Sequence, residues 1–263
     1  MKVFFLIILV VVTDYCIAQK TPITMSFAKN PVVAHRGAFK AKNLPENSIA
    51  GLQNAIEMHC TGSEFDVWMT ADDSLVINHD PKFHELPIEQ TKYSDLIQFT
   101  LSNGEKLPTL YEYLSEGLKN NTATRLVLEI KPSAISKERG RMVAEKAWKL
   151  VQMLNAAEAT TYISFDLGIL TRIIELEPKA PTQYLNGDKT PEELKALGIS
   201  GADYHFSVFK KNPDWIGRAR ANNIILNTWT VNSKEDLQWA LDNRFNFITT
   251  NEPELLFELL KGN

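Results

Sequence analysis

The sequence predicts an α/β protein whose parallel sheet closes into a single-domain (β/α)8 barrel. Strand-like apolar runs alternate with amphipathic helical stretches along the chain, in eight units. These runs are continuously apolar and not alternating, as in strands covered by helices and buried on both faces. Eight such units in 263 residues fit a closed barrel better than an open doubly wound sheet. Neither GxGxxG nor GxxxxGK followed by Ser or Thr occurs, which also weighs against a nucleotide-binding open sheet.

The first strand is read at residues 32–35 (VVAH), before a helix over 46–59. The second, 63–70 (SEFDVWMT), turns back into a return strand over 75–79; Asp72 and Asp73 lie in a hairpin turn and not in a calcium loop. Residues 81–108 fit the alternation least and read as a short insertion over one barrel end, with a short helix at 93–99. The rhythm resumes with strand 126–131 (LVLEIK) and helix 137–155, strand 162–165 (YISF) and helix 167–176, then strand 182–185 (TQYL) and helix 191–197. The last three pairs are 202–206 with 215–221, 224–231 with 234–241, and 245–250 with 253–260. No repeat, Gly/Ser-rich stretch or composition break marks a linker, so one domain is expected over 19–263.

The first twenty residues, MKVFFLIILVVVTDYCIAQK, carry Lys2, an apolar run from Val3 to Val12, and Cys16-Ile17-Ala18 where a signal peptidase reads small residues. This pattern predicts a cleaved secretory signal over 1–18 and a secreted or periplasmic destination. The run is about half the ~20 residues of a spanning helix, so no stable membrane insertion is expected after cleavage. Thr13-Asp14-Tyr15 is too bulky and polar for lipid attachment at Cys16. Cleavage leaves Cys60 as the sole cysteine, which excludes an intrachain disulfide. The net charge of −4, with no basic run, argues against nucleic acid as a partner. An anionic substrate must then be met by a local positive site.

Such a site is expected where barrel strands end. Glu64 and Asp66, two apart on a strand, project into one volume, where two uncompensated charges repel and lose hydration. His35-Arg36-Gly37 ends the first strand, His79-Asp80 the return strand, and Glu129 and Lys131 the third; Trp229 stands late in the seventh. Taken singly, each has a structural explanation: a hydrogen-bonded histidine at a strand end, or an internal Glu129–Lys131 ion pair. His59, His84 and His205 are expected to be structural. Together the set points to chemistry. Glu64, Asp66 and Glu129 are hard oxygen ligands suited to Mg²⁺ or Ca²⁺, and no Cys/His cluster of zinc spacing competes. Arg36 and Lys131 would face an anionic group, and two histidines could share proton transfer, which spells metal-assisted phosphoryl chemistry.

"AHRGAFKAKNLPENSIAGLQNAI", "GSEFDVWMTADDSLVINHD", "VLEIK", "ISFD" and "NTWTVN" resemble, in order and over nearly all of the mature chain, the motifs of the glycerophosphodiester phosphodiesterase family. The resemblance implies a TIM barrel, a divalent metal ion and hydrolysis of glycerophosphodiesters to glycerol 3-phosphate and an alcohol. By position it puts the catalytic pair on His35 and His79 and the metal carboxylates on Glu64, Asp66 and Glu129. It puts a phosphate-contacting arginine on Arg36, a lysine beside the site on Lys131 and a substrate-lining tryptophan on Trp229. Glu46, in the PEN motif, is expected to support Arg36 or the histidines, or to serve the helix start. Two departures stand out: "PKFHELPIEQTKYSDL" follows His79-Asp80 where the family often has an Arg-Thr-Thr stretch, and Asn251 stands where it commonly has Asp.

Three rival readings are a glycosidase using Glu64 and Glu129, a barrel that binds a phosphorylated ligand without cleaving it, and a phospholipase-like relative acting on intact lipids. The mature chain shows no apolar docking helix to favour the last. The preferred alcohol, the choice between Mg²⁺ and Ca²⁺, and direct water attack against a cyclic phosphate are all left open.

Overall fold

The computed structural model describes residues 24–262; the leader expected over 1–18 lies outside the described residues. β1 (Val32–Ala34) leads to α1 (Ile49–Glu57), which Ser48 caps by accepting the Gly51 N–H. β2 (Gly62–Met69) turns back into the antiparallel β3 (Leu75–Ile77), with Val67 opposite Ile77. The insertion holds β4 (Lys82–Phe83), β5 (Leu86–Pro87), a 3-10 turn (Ile88–Gln90) and α2 (Tyr93–Leu96). α3 (Leu110–Gly117) completes the second unit.

The remaining units are β6 (Arg125–Ile130) with α4 (Lys137–Met153), β7 (Thr160–Ser164) with α5 (Leu167–Leu176), and β8 (Thr182–Tyr184) with α6 (Pro191–Ala196). β9 (Gly201–His205) is followed by two helices, α7 (Phe206–Lys211) and α8 (Asp214–Ala221). β10 (Ile225–Trp229) with α9 (Lys234–Asp242) and β11 (Phe247–Thr250) with α10 (Pro253–Gly262) end the described chain.

The sheet order is β1-β11-β10-β9-β8-β7-β6-β2-β3, and β1 also pairs with β2, Val33 beside Gly62, so eight parallel strands close on themselves. This is the (β/α)8 barrel, with β3 as an antiparallel flap on β2. Side chains alternate across each strand. Ala202, Tyr204 and Leu226 face outward with Phe209, Ile216 and Leu237 of the covering helices, and Phe65, Leu126 and Leu128 do so with Leu114 and Ala147. Inside, Val33, Val127, Ile163 and Leu185 meet Phe165, Trp229 and Phe247. Polar groups within the barrel satisfy one another: Asn227 Nδ2 donates to Gln183 Oε1 at 3.1 Å, and Thr249 Oγ1 donates to Asn227 Oδ1 at 3.2 Å.

The insertion has its own small core, in which Trp68 and Val76 meet Phe83, Ile88, Leu96 and Leu107. Arg139 of α4 ties it to the barrel rim: its guanidinium donates to the Met69 and Thr70 carbonyls and lies 3.3 Å from the Glu89 carboxylate. Among the described residues no helix is long and apolar enough to cross a membrane.

Two helices go beyond the pattern read from the sequence. α3 starts with a capping box in which Thr109 and Glu112 satisfy each other's backbone N–H groups. It packs so close to β6 that a Cβ on Gly117 would lie 2.7 Å from Leu126 Cδ2. α7 begins at Phe206, where the strand was read to continue, because the His205 ring accepts the Ser207 N–H and turns the chain into a helix.

Candidate active site

The turn after β1 is built from strained backbone. Arg36 and Asn47 take left-handed φ angles of 54° and 56°, and Gly37 follows at 84°. A Cβ on Gly37 would lie 2.7 Å from the Gly51 carbonyl carbon, so only glycine lets this turn pass beneath α1. The turn aims the Arg36 N–H at Glu64 Oε2, 2.9 Å away, and the Arg36 carbonyl accepts the Asn47 N–H. The Arg36 guanidinium lies 2.6 Å from Glu46 Oε2 and 3.9 Å from Asp66 Oδ2. Glu46 therefore stands behind Arg36, and the cavity wall nearby is formed by Arg36 itself.

Glu64 and Asp66 emerge from the same face of β2, and the parallel register that sets Asp66 beside Glu129 brings in the third acid from β6. One oxygen of each lies within 4.8 Å of the others, and all three are buried. Lys131 Nζ sits 2.7 Å from both Asp66 Oδ1 and Glu129 Oε1. Asn47 holds Asp66 from the other side, its Nδ2 donating to Asp66 Oδ2 at 2.8 Å and its Oδ1 accepting the Asp66 N–H at 3.2 Å. Three carboxylates against one contacting ammonium leave an excess of two negative charges when all are ionised, and Arg36 is already shared with Glu46.

The acids divide accordingly. Burial would raise Asp66, but Lys131 foremost, with His79 and the Asn47 hydrogen bond, pulls it below its ordinary range. Burial and the neighbouring carboxylates push Glu64 well above its range and Glu129 up to about 8. Among the described residues Glu64 Oε1 is buried with no hydrogen-bond partner. An orphaned oxygen among three acids is a donor set for a hard divalent cation, and Glu64, Asp66 and Glu129 fit Mg²⁺ or Ca²⁺.

A pH signature follows. Both groups titrate higher folded than unfolded, Glu129 about 8 against 4.5. The stabilising contribution of Glu129 is therefore full below about 4.5 and lost as pH rises through about 8, and that of Glu64 is likewise lost as pH rises. The melting temperature of chelator-stripped protein is expected to fall across that window, and saturating Mg²⁺ or Ca²⁺ to restore it most at the alkaline end. Near neutral pH, calorimetry in buffers of different ionisation heat should register protons released as the ion displaces them.

His35 and His79 reach the same cavity from the ends of β1 and β3. His35 Nδ1 lies 2.7 Å from Asn251 Oδ1, and its Nε2 is 3.9 Å from Glu64 Oε2. Burial, then the Arg36 charge, hold its pKa down to about 4. His79 is more open, with Nδ1 2.7 Å from the Asp80 carboxylate and its carbonyl accepting the Trp68 indole N–H. In each ring Nδ1 faces an acceptor oxygen, to which its N–H donates, and Nε2 is left available.

The cavity measures about 100 Å³. Around the strands that follow, its wall is apolar: Ile163, which sits beside Glu129 in the β6–β7 register, then Leu185 and Phe165, whose ring meets Trp229 edge-on at 5.5 Å. Trp229 Nε1 donates to the Asp203 carbonyl at 2.9 Å, which fixes the indole. The nine residues read from the sequence thus gather at one barrel mouth, eight in or beside the cavity and Glu46 behind Arg36.

Sequence reasoning passed over Asn47, the ring-holding role of Asn251, and Asp203, a buried acid on the cavity wall. The signal for Asp203 was present in ADYHF, a carboxylate within a strand run, like the SEFDV that exposed Asp66. Of the other histidines, His84 stacks on Phe99 at 4.8 Å, and His205 bonds Ser207 and meets Trp229 edge-on at 5.4 Å.

Residues 35–255 match the sequence profile of the Glycerophosphoryl diester phosphodiesterase family. A curated relative from Caldanaerobacter subterraneus subsp. tengcongensis, named glycerophosphodiester phosphodiesterase, is 31% identical over 247 residues, covering 89% of this chain and 98% of its own. A crystal structure of a glycerophosphodiester phosphodiesterase from Parabacteroides distasonis is similar with a TM-score of 0.86 at 38% identity, covering 90% of this chain and 99% of that one. An Oleispira antarctica phosphodiesterase, solved in complex with the product sn-glycerol-3-phosphate, shares the fold at a TM-score of 0.74 and 20% identity, covering 88% and 97%.

Proposed function

The chain belongs to the glycerophosphoryl diester phosphodiesterase family, and from that premise we propose that it hydrolyses glycerophosphodiesters to glycerol 3-phosphate and an alcohol with a divalent ion and a histidine pair. It is a phosphoric diester hydrolase, as its relatives are. The observation that carries the finer reading is the buried Glu64–Asp66–Glu129 cluster with an orphaned oxygen, at a cavity that two histidines also line. A product complex of a protein with the same fold supports the substrate class.

A bound ion would supply Lewis-acid polarisation of a non-bridging phosphate oxygen. Arg36 and Lys131 offset the charge that grows on the phosphoryl oxygens. The incoming oxygen, from water or from the neighbouring glycerol hydroxyl, gives its proton to one imidazole as it bonds to phosphorus. The bond from phosphorus to the alcohol oxygen breaks, and the other imidazole protonates that oxygen. On the hydroxyl branch water then adds to the cyclic phosphate and breaks its ring P–O bond to give glycerol 3-phosphate. We take His35, whose pKa burial and the Arg36 charge hold down to about 4, as the base, and His79, whose Nδ1 lies against the Asp80 carboxylate, as the acid. Glu46 positions Arg36, and Trp229 forms part of the wall against which the substrate lies.

Among the rivals, a glycosidase pair leaves Asp66, Lys131 and both histidines without a task. Cleavage of the leader after Ala18, export to the periplasm or beyond, and a mature domain over 19–263 complete the proposal and would make this a scavenging enzyme. The test is turnover of glycerophosphocholine, -ethanolamine, -glycerol and -inositol, each with chelator and with Mg²⁺ or Ca²⁺ restored. Release of glycerol 3-phosphate that stops on chelation and returns with the ion is expected. Chelator-resistant cleavage, or ligand binding without turnover, would contradict the proposal.

A further inference from the structure

We propose that Asp203 is a specificity-determining residue that hydrogen-bonds a hydroxyl of the glycerol half of the substrate, so that the site selects a polyol phosphate over a simple alkyl phosphate. This rests on the function proposed above for the same cavity.

Asp203 lies on β9 between Ala202 and Tyr204, both of which pack outward against the helices, so its own side chain faces into the barrel. It is 1% exposed and lines the cavity together with Glu129, Lys131 and Trp229. Its Oδ1 is buried without a hydrogen-bond partner among the described residues. A buried carboxyl is ordinarily kept by a cation, a metal or a hydrogen bond. Among the described residues no ammonium or guanidinium lies within ion-pair distance of it, and the metal-ligand cluster is made of Glu64, Asp66 and Glu129 without it. What remains is a partner that arrives with the ligand.

The surroundings narrow that partner. Ile163, Leu185 and the Trp229 indole give this side of the cavity an apolar wall, and Trp229 is held there by its hydrogen bond to the Asp203 carbonyl. A polyol matches such a wall, C–H edges against the rings and a hydroxyl against the carboxyl. A cationic head group matches it less well, because burial, with Glu129 nearby, holds this carboxyl well above its ordinary range and so favours the neutral form. A neutral carboxyl both donates to and accepts from a hydroxyl.

The test compares the full chain with Asp203→Asn and Asp203→Leu on glycerophosphocholine and on the phosphocholine diesters of propane-1,2-diol and propane-1,3-diol, each lacking one glycerol hydroxyl. The unaltered enzyme is expected to prefer the glycerol compound over at least one analogue by about ten- to a hundredfold in kcat/KM. Asp203→Leu should erase that preference by losing activity on the glycerol compound alone, and Asp203→Asn should retain part of it. Equal loss on all three substrates, or an intact preference in Asp203→Leu, would overturn the proposal. Calorimetric binding of glycerol 3-phosphate against the two propanediol phosphates reads the same preference without turnover. A protein that binds with an Asp203-dependent preference but cleaves nothing would refute the hydrolase mechanism and uphold this role.

Discussion

Glu64→Gln and Glu129→Gln are each expected to lower kcat/KM on a glycerophosphodiester by at least ~10³, the scale of losing metal-assisted charge stabilisation. The glutamine in either place keeps the volume. At residue 64 it also keeps a carbonyl to accept the Arg36 N–H, so the turn after β1 should survive. The loss should come with no loss of stability. In the metal-free protein burial and neighbouring carboxylates push both acids up, so a neutral isostere removes a destabilised group. Chelator-stripped variants are expected to melt at or above the unaltered protein at alkaline pH, while no longer gaining stability from Mg²⁺ or Ca²⁺. Activity and metal response lost in a protein that melts no lower separates ion binding from a structural role.

Replacing His35 or His79 by alanine is expected to cost at least ~10² in turnover, the usual scale of general acid–base catalysis. The two rings differ in what holds them, a neutral amide at 2.7 Å for His35 and a carboxylate at 2.7 Å for His79. With His35 as base, His35→Ala should flatten the limb of the pH–rate profile on which activity rises with pH; His79→Ala should flatten the limb on which it falls. The double variant should lose little more than the worse single one, because the two transfers serve one displacement. Metal binding should persist in all three, since neither ring belongs to the carboxylate cluster. Near-normal turnover in either single variant would refute the pairing.

All eight barrel strands were legible in the sequence because parallel strands under helices are apolar on both faces, and that leaves a run in the chain that turns and helices interrupt. Glu64 and Asp66 stood out for the same reason, as charges inside such a run. α3 was harder to see. The insertion separates it from its strand, and its signs are local ones, the Thr109–Glu112 capping box and the buried Leu110, Tyr113 and Leu114. α7 is only six residues long, and its first residue, Phe206, prolongs an apolar strand pattern until the His205 ring ends it.

Within the site, residue type and strand position located the acids, the histidines, Arg36 and Lys131. The roles of Asn47 and Asn251 depend on partners 19 and 216 positions away in the chain, which no local pattern encodes. The strained turn that aims the Arg36 N–H at Glu64 likewise shows only in the backbone, although Gly37 marks its place.

Occupancy of the three buried acids of β2 and β6 by one divalent cation is the expectation on which the proposed mechanism rests. It is tested most directly by soaking crystals of the mature protein with Ca²⁺, or with Mn²⁺ as an anomalously scattering substitute, and locating the ion in anomalous maps. A single peak bonded to an oxygen of each of Glu64, Asp66 and Glu129, at roughly 2.0–2.6 Å, is the predicted result. No peak among them at saturating ion, with the three carboxyls in place and the histidine rings turned away from the cavity, would contradict it.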